Sequence, residues 1–143
     1  MKKQLLIIAA SLSLMPVGNL FAVQNQTFIK STENLIAKNI SHSNHNESLM
    51  EKGDKKYKSK DYKGAITDYS KILINNPNDF HALFQRALAK SYLNDHLGAI
   101  KDYTKAIEID PEYASAFYNR GLSKDKIDDD YGAISDFNKA IAL

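Results

Sequence analysis

Few side chains in this chain have the type and spacing for catalysis or metal binding. There are four histidines, His42, His45, His81 and His96, an acidic run Asp128-Asp129-Asp130, and no cysteine. Without cysteine there is no thiolate nucleophile, no disulfide framework and no thiolate metal site. His42 and His45 sit in SHSNHN, where serines and asparagines supply no carboxylate to complete a ligand set, so the stretch reads as a solvated linker. His81 and His96 fall at the two ends of one expected helix and have no acid partner. The acidic run lacks the alternating ligands and the glycine of a calcium loop. It reads instead as a negatively charged helix start, where carboxylates meet the positive end of the helix dipole. The expectation is therefore a protein without catalysis, cofactor or metal.

The chain is built on a repeat. Residues 64–71 read GAITDYSK, 98–105 read GAIKDYTK and 132–139 read GAISDFNK, each 34 residues after the last, with Pro77 and Pro111 keeping the same step. A period of this length marks paired-helix units that stack into a solenoid, because one pair cannot bury its apolar face alone. With Asn46 as position 1, the units are 46–79, 80–113 and 114–143. Their helices are expected at about 47–59 and 62–75, 80–93 and 97–109, and 114–127 and 131 to the end. Asp61, Asp95 and Asp129 precede the second helices as caps. Gly64, Gly98 and Gly132, each followed by alanine, read as small residues that let paired helices approach.

Charge excludes one class of partner. Without Lys2 and Lys3, which fall in a leader, the 19 basic residues become 17, equal to the 17 acidic ones. A neutral chain is not built for nucleic acid, whose phosphates call for a basic surface. Basic pairs recur four residues apart: Lys52 and Lys56, Arg86 and Lys90, Arg120 and Lys124. Each pair shares a helical face. The stripe suits either an anionic ligand or internal pairing with Asp68, Asp102 and Asp136, and the one-to-one recurrence favours pairing.

Two lysines, an apolar core from Leu5 to Val17 and a break ending at Phe21-Ala22 follow the plan of a secretory signal peptide. The apolar core is shorter than the roughly 20 residues of a spanning helix. Cleavage after Ala22 and export to a periplasm or the medium are expected, the alternative being an uncleaved membrane anchor. Residues 23–45 form either a polar linker or a capping helix, with Phe28, Ile29, Leu35, Ile36 and Ile40 at spacings of sevens and fours.

The units resemble the tetratricopeptide repeat family over about two thirds of the chain. The resemblance rests on a small residue at position 8 (Gly53, Ala87, Gly121), alanine at 20 (Ala65, Ala99, Ala133), an aromatic at 24 (Tyr69, Tyr103, Phe137) and proline at 32 (Pro77, Pro111). Ile72 departs from the usual alanine that Ala106 and Ala140 keep. The resemblance implies an all-α fold, a right-handed superhelical solenoid of antiparallel helix pairs. It also implies an adaptor without chemistry of its own, whose first helices line a concave groove for a protein or peptide partner. On that register the groove residues are Met50, Tyr57, Phe84, Gln85, Leu88, Tyr118, Asn119 and Leu122. Phe84, Leu88, Tyr118 and Leu122 are the expected anchors, and Gln85 and Asn119 the hydrogen-bonding pair that sets register. Met50, Asp54, Gln85 and Ser115 occupy places where the family's chaperone-tail clamp has its lysines, arginine and asparagine, so that clamp is not expected.

The end of the sequence carries a second expectation. Ala133, Phe137, Ala140 and Ile141 would form an exposed apolar strip on the last helix, and such patches mark association. Self-association through Phe137, Ala140 and Ile141 into a homo-oligomer is the alternative to the groove-binding scaffold.

Overall fold

The computed structural model describes residues 17–143, so most of the expected signal peptide, residues 1–16 of 1–22, lies outside the described residues. Among the described residues there are six helices and no strand: α1 Val17–Lys58, α2 Tyr62–Asn75, α3 Phe80–Tyr92, α4 His96–Ile109, α5 Ala114–Asp125 and α6 Asp130–Ala142. The last five match the expected helices to within one or two residues. The packed unit is Ser43–Leu143, a solenoid of antiparallel helix pairs. Residues 23–45 lie within α1, which runs for 42 residues. No described helix is long and apolar enough to cross a membrane.

One turn device, used three times, joins the helices of a pair. Lys60, Asn94 and Asp128 adopt φ of 65°, 62° and 63°, the left-handed conformation that ends a helix. The next residue is the aspartate, whose N–H donates back to the carbonyl of Lys56, Lys90 or Lys124 at 2.8, 3.0 and 3.0 Å. Its side chain then caps the following helix: Asp61, Asp95 and Asp129 accept from the N–H of Gly64, Gly98 and Gly132 at 2.9, 3.0 and 3.0 Å. The Asp128-Asp129-Asp130 run is thus a left-handed turn residue, a cap and a first-turn acid.

The repeated step of glycines has a different cause from the expected one. A Cβ on Gly64, Gly98 or Gly132 would stand 2.1 to 2.2 Å from the carboxylate of its own capping aspartate. These glycines make room for the cap. Close approach of the paired helices is needed instead at position 8, where a Cβ on Gly53 or Gly121 would fall 2.5 Å from the Tyr69 ring and 2.7 Å from the Phe137 ring.

The core follows the repeat. Leu49, Ala65, Tyr69, Ile72, Ala82, Leu83 and Ala89 are buried together between the first three helices, and Ala87, Ala99 and Tyr103 continue the layer. Tyr69 is wholly buried and donates its hydroxyl to Asp54 at 2.8 Å. Burial, and then that hydrogen bond, pushes the Tyr69 hydroxyl's pKa up, so it stays a neutral donor.

The aspartate of each second helix is buried and neutralised by cations from the first. Asp102 receives Arg86 through two bonds, Nε to Oδ2 at 2.8 Å and Nη2 to Oδ1 at 2.7 Å, and Lys90 Nζ at 2.8 Å. Asp136 receives Arg120 at the same distances and Lys124 at 2.9 Å. Each arginine also donates Nη1 to the preceding unit's second helix, Arg86 to Ser70 and Arg120 to Thr104, both at 3.1 Å. The first unit differs. Asp68 is met by Lys56 and by Lys71 at 3.2 Å, whereas Lys52, expected to pair there, is exposed. Five of the six cations expected to pair internally therefore do so, and the basic stripe is not a free anion-binding surface.

Burial alone would push the Asp136 carboxyl up, but hydrogen bonds from Arg120 and Lys124 outweigh it and hold it below the ordinary carboxylate range; Lys56 and Lys71 do the same for Asp68. A lowered folded-state pKa gives stability that is complete above the unfolded value of about 3.9. That stability is lost as pH falls through the folded value. Denaturant midpoints are expected to hold from neutrality to about pH 4 and drop steeply below it. Asp136→Asn should flatten that acid limb while lowering stability near neutrality by about 3 kcal/mol, because two cations lose their counter-charge. An unchanged acid limb in Asp136→Asn would contradict the assignment.

Candidate functional site

The first helices of units two and three, α3 and α5, border a cleft floored by α4. It encloses about 320 Å³ and is lined by Leu88, Ser91 and Tyr92 of α3, His96 and Tyr103 of α4, Asn119, Leu122 and Ser123 of α5, and Lys126 just past the end of α5. Its wall is mostly apolar, with polar atoms at set points. Ser91 and Ser123 share a hydrogen bond of 3.1 Å across the cleft. Asn119 Nδ2 donates to the Ser115 carbonyl within α5 at 2.7 Å, which leaves the amide oxygen toward other partners. His96 Nδ1 is buried without a hydrogen-bond partner among the described residues.

The expected groove residues divide by location. Leu88, Asn119 and Leu122 come together in this cleft. Phe84 does not stand free: its ring lies against Phe80 (6.2 Å between centroids), Tyr113 (5.2 Å) and Tyr103 (5.7 Å). Gln85 is half-buried on the same helix. Met50 packs against the core of the first unit. Tyr57 belongs to an aromatic group with Tyr62 and Tyr92, in which Tyr62 and Tyr92 stack at 4.8 Å. Burial, followed by contact with Tyr92, pushes the Tyr57 hydroxyl's pKa up.

Tyr118 is about half exposed, and with Leu122, Phe137, Ala140 and Ile141 it lines a second hollow of about 500 Å³ between α5 and α6. Sequence reasoning missed His96 and Tyr92. His96 belongs to no motif in the sequence, and Tyr92 occupies position 13 of its unit, where Lys58 and Lys126 stand in the others. Among the described residues no three His, Cys, Asp or Glu side chains gather as a metal site would require.

Comparison with known proteins places this arrangement. Residues 92–125, the second helix of unit two with the first of unit three, match the family model described as TPR repeat. The Arabidopsis OM64 TPR domain is 28% identical over 71% of this chain and 84% of its own, with a TM-score of 0.68. The first TPR of Spaghetti (RPAP3), solved bound to the HSP90 peptide SRMEEVD, is 26% identical over 70% of this chain and 79% of its own, TM-score 0.67. MamA protein is 31% identical over 71% of this chain, which spans only 55% of MamA, TM-score 0.68. No curated protein matches the sequence. Residues 92–125 thus match a TPR repeat, and the all-α packed unit is similar in fold to solved TPR domains.

The environments predict a contrast between two aromatic residues at the same repeat position. Phe84→Ala should cost up to about 3 kcal/mol, as for a packed ring. Tyr118→Ala should cost about 1 kcal/mol or less, as for a half-exposed one. Thermal or denaturant melts of the two variants report this directly, and equal losses would contradict the distinction.

Proposed function

We propose that this protein is an exported, non-catalytic scaffold that holds a peptide segment of a partner protein in the cleft between α3 and α5. The observation that carries the reading is the apolar cleft itself. Leu88 and Leu122 clasp an aliphatic or aromatic side chain of the segment. Asn119 offers its amide oxygen, and with Gln85 it sets the register. The peptide-bound domain of RPAP3 supports peptide binding as the use of this fold. The residues here favour a different peptide from that acidic tail, because Met50, Asp54, Gln85 and Ser115 provide no cation at the clamp places. An assembly-factor role, positioning one protein for another, fits the same site.

A pull-down from envelope extract tests the site. The wild-type chain is expected to retain a partner that Leu88→Ser with Asn119→Ala loses, with affinity weakened about tenfold or more, while circular dichroism shows both folded. Equal retention by wild type and variant would overturn the cleft as the binding site.

Export is tested separately. The chain recovered from the envelope is expected to begin at Val23. A chain beginning at Met1 in the membrane fraction would replace cleavage with the anchored alternative.

A further inference from the structure

The hollow between α5 and α6 repeats a surface that is covered twice elsewhere in the molecule. Ile72 and Leu73 of α2 are 0% and 9% exposed, and Ala106 of α4 is 0% exposed, because α3 and α5 lie over those helices. At the same positions of α6, Ala140 is only half-buried and Ile141 is 83% exposed. What fits such a face is visible from the two helices that already do so. They read Leu83-Phe84-Gln85-Arg86-Ala87-Leu88-Ala89 and Phe117-Tyr118-Asn119-Arg120-Gly121-Leu122-Ser123. The large apolar residue at the start and the small one at the end are buried, and the arginine reaches Ser70 or Thr104 on the covered unit.

The chain carries one more segment with this order, Leu35-Ile36-Ala37-Lys38-Asn39-Ile40-Ser41 in α1. Leu35 stands where Leu83 and Phe117 stand, Lys38 where the arginines stand and Ser41 where Ala89 and Ser123 stand. Position 8, which in the repeats abuts the unit's own second helix, is here the polar Asn39, as suits a helix with no second helix of its own. Residues 26–41 are exposed throughout apart from the half-buried Thr32, with Leu35 at 63%, Ile36 at 57% and Ile40 at 55%. The chain thus presents both an uncovered face and an uncovered helix with the sequence order that covers such faces.

The geometry points to head-to-tail association, in which residues 32–45 of one copy dock as a first helix onto the α5/α6 face of a second copy. Leu35 enters the hollow lined by Tyr118, Phe137, Ala140 and Ile141. Lys38 comes opposite Asn138, which holds the place that Ser70 and Thr104 hold in the units before. The occupant is a second copy of this chain, so the two surfaces must fail separately and rescue each other.

The test uses the full chain and two variants at exposed positions, Leu35→Glu and Ile141→Glu, with circular dichroism confirming that both remain folded. In light scattering or sedimentation at roughly 100 μM, the wild type is expected to exceed the mass of a single copy. Each variant alone is expected to be monomeric, and their equimolar mixture to form a heterodimer, since each supplies the surface the other lacks. A monomeric wild type overturns the proposal, whether the helix instead folds back on its own chain or lies on a membrane. Association that survives Ile141→Glu overturns it in favour of helix-to-helix pairing. Association that survives Leu35→Glu overturns it in favour of α6 faces meeting each other.

Discussion

Every second helix of the packed unit carries an aspartate at one buried place, and a buried carboxylate persists only if cations and hydrogen bonds meet it there. Asp102 and Asp136 are each clasped by an arginine fork and a lysine from the first helix, which fixes the two helices of a pair at one separation and rotation. The same arginines reach the preceding unit through Ser70 and Thr104, so one side chain sets both the pairing within a unit and the stacking between units. These charges turn toward the second helices. The face of α3 and α5 that borders the cleft is left with leucines, serines, a tyrosine and an amide, a surface suited to apolar and hydrogen-bonded contact.

Much of the fold was legible because the chain writes its instructions three times. Alanine, aromatic and aspartate in register identify the second helices, and the four-residue spacing of the cations identifies their partners. The turn between helices was hidden, since its left-handed residue is Lys60, Asn94 and Asp128 in turn and no one residue type announces it. The purpose of Gly64, Gly98 and Gly132 was hidden for a related reason: the carboxylate that fills their space lies three residues away and its rotamer is not written in the sequence. At Asp68 the place of Lys52 is taken by Lys71 from within the same helix, a contact that a between-helix register does not anticipate.

The site was legible only in part. Phe84 and Tyr118 share a repeat position, and nothing in that position distinguishes an anchor from a packing residue. The difference comes from neighbours: Phe80 and Tyr113 enclose Phe84, while Tyr118 looks onto an open hollow. His96 could not be found by motif, because what marks it is a missing hydrogen-bond partner. Leu88, Asn119 and Leu122 were within reach of the register, and they meet in one cleft because α3 and α5 are held side by side by the arginine bolts behind them.

The central claim is that the partner is held against α3 and α5 and not against the second helices. Site-specific photocrosslinking in the native host cell tests it most directly, with the photoreactive residue placed at Lys126 on the cleft or at Lys101 on α4, both exposed. The account predicts a partner adduct from position 126 and none from position 101. Adducts from position 101 alone, or from neither, would contradict it.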